Sequence, residues 1–240
     1  MLILDFDGVI CDALTECALV TWLGVHPPAP SAPVSAYAPA MPRGFLERFR
    51  TIRDYARTLD HFVTAHRPMA AYLTSQAGFD RLYRSIADVF VAEFTAQASA
   101  ARARCRDEEP EYWTGLHTLY PGVDGLLRRH AGKVCIVTAK DADSVWRILR
   151  HHKVDDTVAE VIGESSRKAD AVRTLAARYG VRPAECTFID DNLTNAVQVA
   201  GTGARALWAT WGYHTPEHEA EAKRAGLPRL RLPDLADLAA

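Results

Sequence analysis

The sequence predicts a parallel α/β sheet interrupted by an all-helical insert, and three observations carry that prediction. From about residue 116 onward, short apolar runs alternate with helix-like stretches. One further apolar run, Leu2-Ile3-Leu4, stands apart near the start of the chain. Between them, residues 13–115 hold no strand-like run at all. Alternation of strands and helices argues for a parallel sheet with helices on its faces. The strands of the sheet therefore come from residues 1–12 and 116–240, and residues 13–115 form a separate helical unit.

Each element follows from local pattern. Leu2-Ile3-Leu4 is short, apolar and ended by Asp5 and Gly8, as a buried strand would be. Thr15 to Leu23 reads as a short helix. Residues 26–42 contain Pro27, Pro28, Pro30, Pro33, Pro39 and Pro42 among alanines and serines, which predicts irregular loop. Phe45, Phe49, Ile52, Ala56 and Leu59 recur at helical spacing, and further helical stretches cover 69–77 and 79–104. The acidic run Asp107-Glu108-Glu109 before Pro110 marks the exit of the insert. Strands follow at Val134 to Val137, Val158 to Ile162, Cys186 to Ile189 and Arg205 to Ala209. Helices are expected between them at 143–152, 168–179 and 193–201, with Gly180 and Gly201 as stop signals.

Composition narrows the function classes. The chain has 240 residues, 48% hydrophobic and 24% charged, enough to bury a sizeable core. A net charge of -2 and the lack of a basic stripe exclude an electrostatic case for nucleic acid. No apolar stretch approaches the roughly 18 residues that span a membrane. The five cysteines (Cys11, Cys17, Cys105, Cys135, Cys186) show no paired spacing, so free thiols and a cytoplasmic location are expected. The first strand begins so early that no signal peptide is expected before it.

The chemistry concentrates at strand ends, where active residues of such sheets gather. Asp5 and Asp7 are i and i+2, so both carboxylates face one side of the first strand's carboxyl end. A bound divalent cation would explain that crowding of charge, and an acidic turn is the plainer alternative. Thr138 ends one strand, Lys168 opens a helix, and Asp190-Asp191-Asn192 follow another strand. A carboxylate can attack phosphorus, and a second can act as general acid and then base. Hydroxyl, ammonium and backbone N–H groups can hold phosphate oxygens while charge redistributes.

These four motifs, in this order, resemble those of the haloacid dehalogenase superfamily, phosphatase type. Asp5-Phe6-Asp7-Gly8-Val9-Ile10 is similar to its first motif and Ile136-Val137-Thr138-Ala139-Lys140 to its second. Lys168 stands for the third, and Phe188-Ile189-Asp190-Asp191-Asn192, with Asn195 beyond, for the fourth. Tyr120-Pro121-Gly122-Val123 resembles the re-entry into the core, and Trp211-Gly212 the closing loop.

The resemblance implies a Rossmann-like three-layer α/β core carrying a helical cap inserted between motifs one and two, over residues 13–115. It implies Mg²⁺-dependent hydrolysis of a small phosphorylated metabolite, with no nucleic acid or membrane partner. Asp5 would be nucleophile and metal ligand. Asp7 would be the general acid/base, with its carbonyl on the metal. Gly8, Thr138, Ala139 and Lys168 would bind the phosphoryl group, and Asp191 with Asp190 would complete the metal site. Arg43, at the edge of the proline-rich loop, is a candidate clamp for an anionic substrate; a solvated helix face is the plainer reading of its arginine stripe.

Four competitors share parts of this pattern. A dehalogenase of the same superfamily would not keep Asp7. A phosphonate-cleaving relative needs a cap lysine, and Lys133, Lys140, Lys153, Lys168 and Lys223 all lie outside 13–115. A phosphomutase or phosphotransferase would use the same four motifs, and a non-catalytic phosphate binder would keep the pocket without turnover.

Overall fold

The computed structural model describes residues 1–239. Its first strand, β1 (Leu2–Leu4), is wholly buried. β2 (Cys11–Asp12) and β3 (Thr118–Leu119) pair antiparallel, Cys11 with Leu119 and Asp12 with Thr118. β4 (Val134–Val137), β5 (Val158–Ile162), β6 (Thr187–Asp190), β7 (Arg205–Ala209) and β8 (Arg229–Leu230) join β1 in one parallel sheet of order β5-β4-β1-β6-β7-β8. The two central registers are Ile3 with Cys135 and Ile3 with Phe188. β1 is therefore the middle strand, and its flanking strands come from far along the chain. Chain order reverses at β1, and at such a switch the carboxyl ends of neighbouring strands splay into a crevice.

Contacts divide the chain into two compact units, Ala13–His117 and the remainder. The helical unit contains α1 (Leu14–Leu23), α2 (Arg43–Arg53), α3 (Gln76–Arg84), α4 (Asp88–Glu108) and α5 (Pro110–Gly115). It has its own core, built from Phe45, Phe49 and Ile52 of α2 with Phe62, Phe79 and Phe94. 3₁₀ helices occupy Val34–Ala40, Asp60–His66 and Pro68–Tyr72.

Four local expectations are adjusted here. The proline-rich loop includes the 3₁₀ segment Val34–Ala40, whose N-cap Pro33 supplies the extended entry. The stretch 69–77 is not one helix: Leu73 is extended, and Ser75 restarts the chain by accepting the Gly78 N–H at 3.1 Å. The stretch 79–104 breaks at Ala87, whose ψ of 136° is extended. The acidic run does not end the unit. α4 continues through Glu108, Pro110 opens α5 where a missing N–H costs nothing, and Glu109 Oε1 accepts the Val34 N–H at 2.5 Å.

The α/β unit supplies α6 (Val123–Arg129), α7 (Ala142–His151), α8 (Lys168–Arg178), α9 (Leu193–Ala200) and α10 (Pro216–Arg224). One sheet face buries Ile3, Val137, Phe188 and Trp208 against Val172 and Leu175 of α8 and Ala196 and Val199 of α9. Leu2 and Leu4 alternate to the other face and are equally buried. Burial of side chains this size contributes about 1.5–3 kcal/mol each, which fixes the strand ends that carry the site.

Candidate active site

Asp5 follows the last residue of β1, and its backbone N–H donates to Ile189 O of β6 at 2.9 Å. Beyond it the chain turns tightly. Ile10 and Cys11 N–H groups both reach Phe6 O, at 2.9 and 3.0 Å, and Gly8 N–H reaches Cys11 O at 2.9 Å. Gly8 has φ +90°, and a Cβ there would lie 2.6 Å from Asp191 Cγ. Only glycine meets both demands.

β4 and β6 bring their own residues to the same end. Thr138 is buried, and its hydroxyl accepts the Lys140 N–H at 3.2 Å. Lys168, the first residue of α8, is 3% exposed. Its Nζ lies 2.7 Å from Asp5 Oδ1 and 3.9 Å from Asp190 Oδ2, and it also donates to Val137 O. A buried ammonium needs such partners, since an unpaired one would lose its proton.

Asp190 ends β6 and Asp191 follows it. Asp190 is fully buried; its Oδ1 accepts the Asn192 N–H at 2.7 Å and its Oδ2 the Asn195 amide at 3.0 Å. Burial, and then the neighbouring Asp5 charge, push its carboxyl well above the ordinary carboxylate range, against the pull of Lys168. Asp191 is gripped from three sides. Trp208 Nε1 donates to its carbonyl at 2.8 Å, Tyr213 N–H donates to Oδ2 at 2.7 Å, and a Cβ on Gly212 would lie 2.6 Å from that oxygen. Trp211 Nε1 donates to Val9 O at 3.1 Å, tying this loop to the turn after β1.

Asp5, Asp190 and Asp191 each offer an oxygen within 4.8 Å of the others. Three hard oxygen donors at that spacing fit Mg²⁺, which needs few protein carboxylates besides waters and phosphate. Asp7 does not join this cluster through its side chain. Its Oδ2 is 3.4 Å from Lys140 Nζ, and its Oδ1 is buried with no hydrogen-bond partner. Lys140 stood within the second motif with no role attached to it. Its importance lies in a 5% exposed side chain, which no local pattern reveals.

The remaining residues of interest play other parts. Arg43 opens α2 with its side chain 92% exposed and its Nε 2.9 Å from Glu47 Oε1. Trp208 is core and Trp211 is a loop clasp. His218 Nδ1 accepts the Thr215 N–H as part of a helix cap. All five cysteines are buried free thiols.

A central-strand aspartate pair, a threonine and a buried lysine at the carboxyl edge of a parallel sheet define an acidic site in an α/β fold. A family model of haloacid dehalogenase-like hydrolases matches residues 1–199, and the chain belongs to that family. No curated protein matches it. Solved structures share the fold at low identity. A predicted phosphoglycolate phosphatase from Haemophilus somnus is 17% identical, with TM-score 0.65 over 99% of this chain and 96% of that one. A hydrolase from Pseudomonas syringae is 17% identical, with TM-score 0.59 over 100% and 98%. A haloacid dehalogenase family hydrolase from Deinococcus radiodurans is 18% identical, with TM-score 0.57 over 98% and 91%. No helix among the described residues is long and apolar enough to cross a membrane.

Proposed function

We propose that this chain is a Mg²⁺-dependent phosphatase that hydrolyses a small phosphorylated metabolite through an aspartyl-phosphate on Asp5. One observation carries the reading: a buried ammonium, Lys168 Nζ, lies 2.7 Å from Asp5 Oδ1, beside the carboxylates of Asp190 and Asp191. A nucleophilic carboxylate must approach an anionic phosphoryl group, and that approach needs positive charge on the same spot. The Deinococcus radiodurans hydrolase contains bound phosphate and sodium, and the Haemophilus somnus protein is described as a phosphoglycolate phosphatase by prediction. Both favour a phosphoester ligand here.

Asp5, Asp190 and Asp191, with the Asp7 carbonyl, would hold Mg²⁺, which when bound neutralises phosphate charge. Asp5 attacks phosphorus as the ester P–O bond breaks, and Asp7 gives its proton to the departing alcohol oxygen. Water then attacks phosphorus, Asp7 takes its proton, and the Asp5–phosphorus bond opens to release inorganic phosphate. Thr138, the Ala139 amide and Lys168 hold the phosphoryl oxygens throughout, whereas the Gly8 N–H, expected to join them, donates to Cys11 O at 2.9 Å and closes the turn instead. The helical unit, residues 13–117, stands in the chain where the family inserts its cap, between motifs one and two, and is the candidate for selecting substrate. Arg43 is its candidate anion contact, because an exposed pair with Glu47 contributes little and yields readily.

The test is phosphate release from a panel of phosphorylated metabolites, with and without Mg²⁺, beside Asp5→Asn. Metal-dependent release that the variant lacks supports the reading. Phosphate moved between sugar hydroxyls without release replaces it with a mutase, and binding without any turnover replaces it with a binding protein.

A further inference from the structure

Two lysines stand against the two aspartates of the turn after β1, and the proposal above uses only one of them. Lys140 Nζ is 3.4 Å from Asp7 Oδ2, with a side chain that is 5% exposed. A lysine so covered is not a solvated surface charge, because burial of an ammonium is costly without a partner.

Its backbone is held as firmly as its side chain. Lys140 N–H donates to Thr138 Oγ1 at 3.2 Å, and its carbonyl accepts the Glu164 N–H at 3.1 Å. Glu164 makes that bond from φ +53°, a left-handed conformation that is strained for a residue with a Cβ. The preceding Gly163 admits the close approach: a Cβ there would lie 2.5 Å from Ala142 N and 2.8 Å from Lys140 O. The loop after β5 thus clamps the loop after β4. On the acceptor side, Asp7 has one oxygen on Lys140, while Oδ1 is buried without a partner.

We propose that Lys140 is a positioning residue, which fixes the plane of the Asp7 carboxyl and with it the line along which that carboxyl exchanges a proton with the substrate. The inference rests on the phosphatase reading. In the first half-reaction the Asp5–phosphorus bond forms, the ester P–O bond breaks and the alcohol oxygen takes the Asp7 proton. A carboxyl free to rotate loses the short, aligned approach that proton transfer needs. Esters with a poor leaving group depend on that proton, and those with a good leaving group do not.

The experiment compares phenyl phosphate with 4-nitrophenyl phosphate, in Mg²⁺, for the wild type, Lys140→Met and Lys140→Arg. Because kcat/KM ends at the first irreversible step, it reports departure of the phenol alone. In Lys140→Met we expect kcat/KM for phenyl phosphate to fall about 10-fold or more, and that for 4-nitrophenyl phosphate to fall less than about 3-fold. KM stays unchanged for both, and Lys140→Arg restores most of the loss. Equal losses on both esters with a raised KM would make Lys140 a substrate contact and overturn the inference, as would no loss on either. If Lys140→Met does not fold, Lys140→Gln carries the same comparison. A wild type that releases no phosphate from either ester or from the metabolite panel, with or without Mg²⁺, defeats the phosphatase reading and this role together; turnover with an unchanged ratio defeats only the role.

Discussion

Lys168 Nζ lies 2.7 Å from Asp5 Oδ1, although the two residues are 163 positions apart in the chain, and the same ammonium is 3.9 Å from Asp190 Oδ2. It is the buried positive charge that keeps Asp5, Asp190 and Asp191 together. The sheet order β4-β1-β6 makes the meeting possible, because α8 starts beside the strand that Asp5 follows.

Removing that charge should cost both stability and turnover. Lys168→Met leaves three converging carboxylates without their ammonium, and breaking a buried pair of this kind costs about 3 kcal/mol or more. Urea unfolding of the metal-free protein measures it. Phosphate release should fall by at least about 100-fold. A variant as stable and as active as wild type would refute the role.

Gly212 should be as intolerant as the acids themselves. In Gly212→Ala the new Cβ would collide with Gly8 O and Asp191 Cβ as well as with Asp191 Oδ2 at 2.6 Å, so the loop must shift and Asp191 must move within the cluster. Mg²⁺ affinity measured by calorimetry should weaken by about 10- to 100-fold, as when an orienting partner of a ligand is lost. Unaltered affinity would show that Asp191 is not held by this loop.

The helical unit has its own buried charge. Glu16 is fully buried on α1, and Arg102 of α4 grips it twice, at 2.6 and 3.0 Å, while Trp113 Nε1 donates to Oε1 at 3.4 Å. Arg102→Met strands the carboxylate, with an expected loss of roughly 3–5 kcal/mol, whereas Glu16→Met with Arg102→Met together should recover much of it. Chemical denaturation of the three variants decides. A double variant worse than Arg102→Met would mean that the pair is not the source of the effect.

Acid should weaken this unit through His66. Burial holds its imidazole down to about 4, against 6.5 when unfolded, although its Nε2 reaches Thr21 O at 2.9 Å. A depressed pKa means that the unfolded chain takes up the proton first. The contribution is therefore complete above pH 6.5 and lost as pH falls from 6.5 to about 4, to a limit of roughly 3 kcal/mol. Melting temperatures of wild type and His66→Gln at pH 7 and pH 4.5 test this: the wild type should lose more of its stability over that interval. Parallel losses would assign the acid sensitivity elsewhere.

Much of this molecule is legible in its sequence because its signals are local. Leu2-Ile3-Leu4 before Asp5, and Cys186 to Ile189 before Asp190 and Asp191, read as buried strands with acids at one end, since apolar runs and the residues that break them act over a few positions. The parallel sheet follows from their alternation with helices. Helix breaks inside the insert do not: Ala87 carries no proline or glycine signal, and the packing of Phe79 and Phe94 into one core turns the chain there. The partners of the charges are equally invisible beforehand. Nothing near Lys140 in sequence points to Asp7, nor near Glu16 to Arg102, nor does Trp208 announce the carbonyl of Asp191. Local pattern sets which residues stand at strand ends. Which of them meet, and which charges lose their water, depends on strand order and on the layers that close over the sheet, and these exist only in three dimensions.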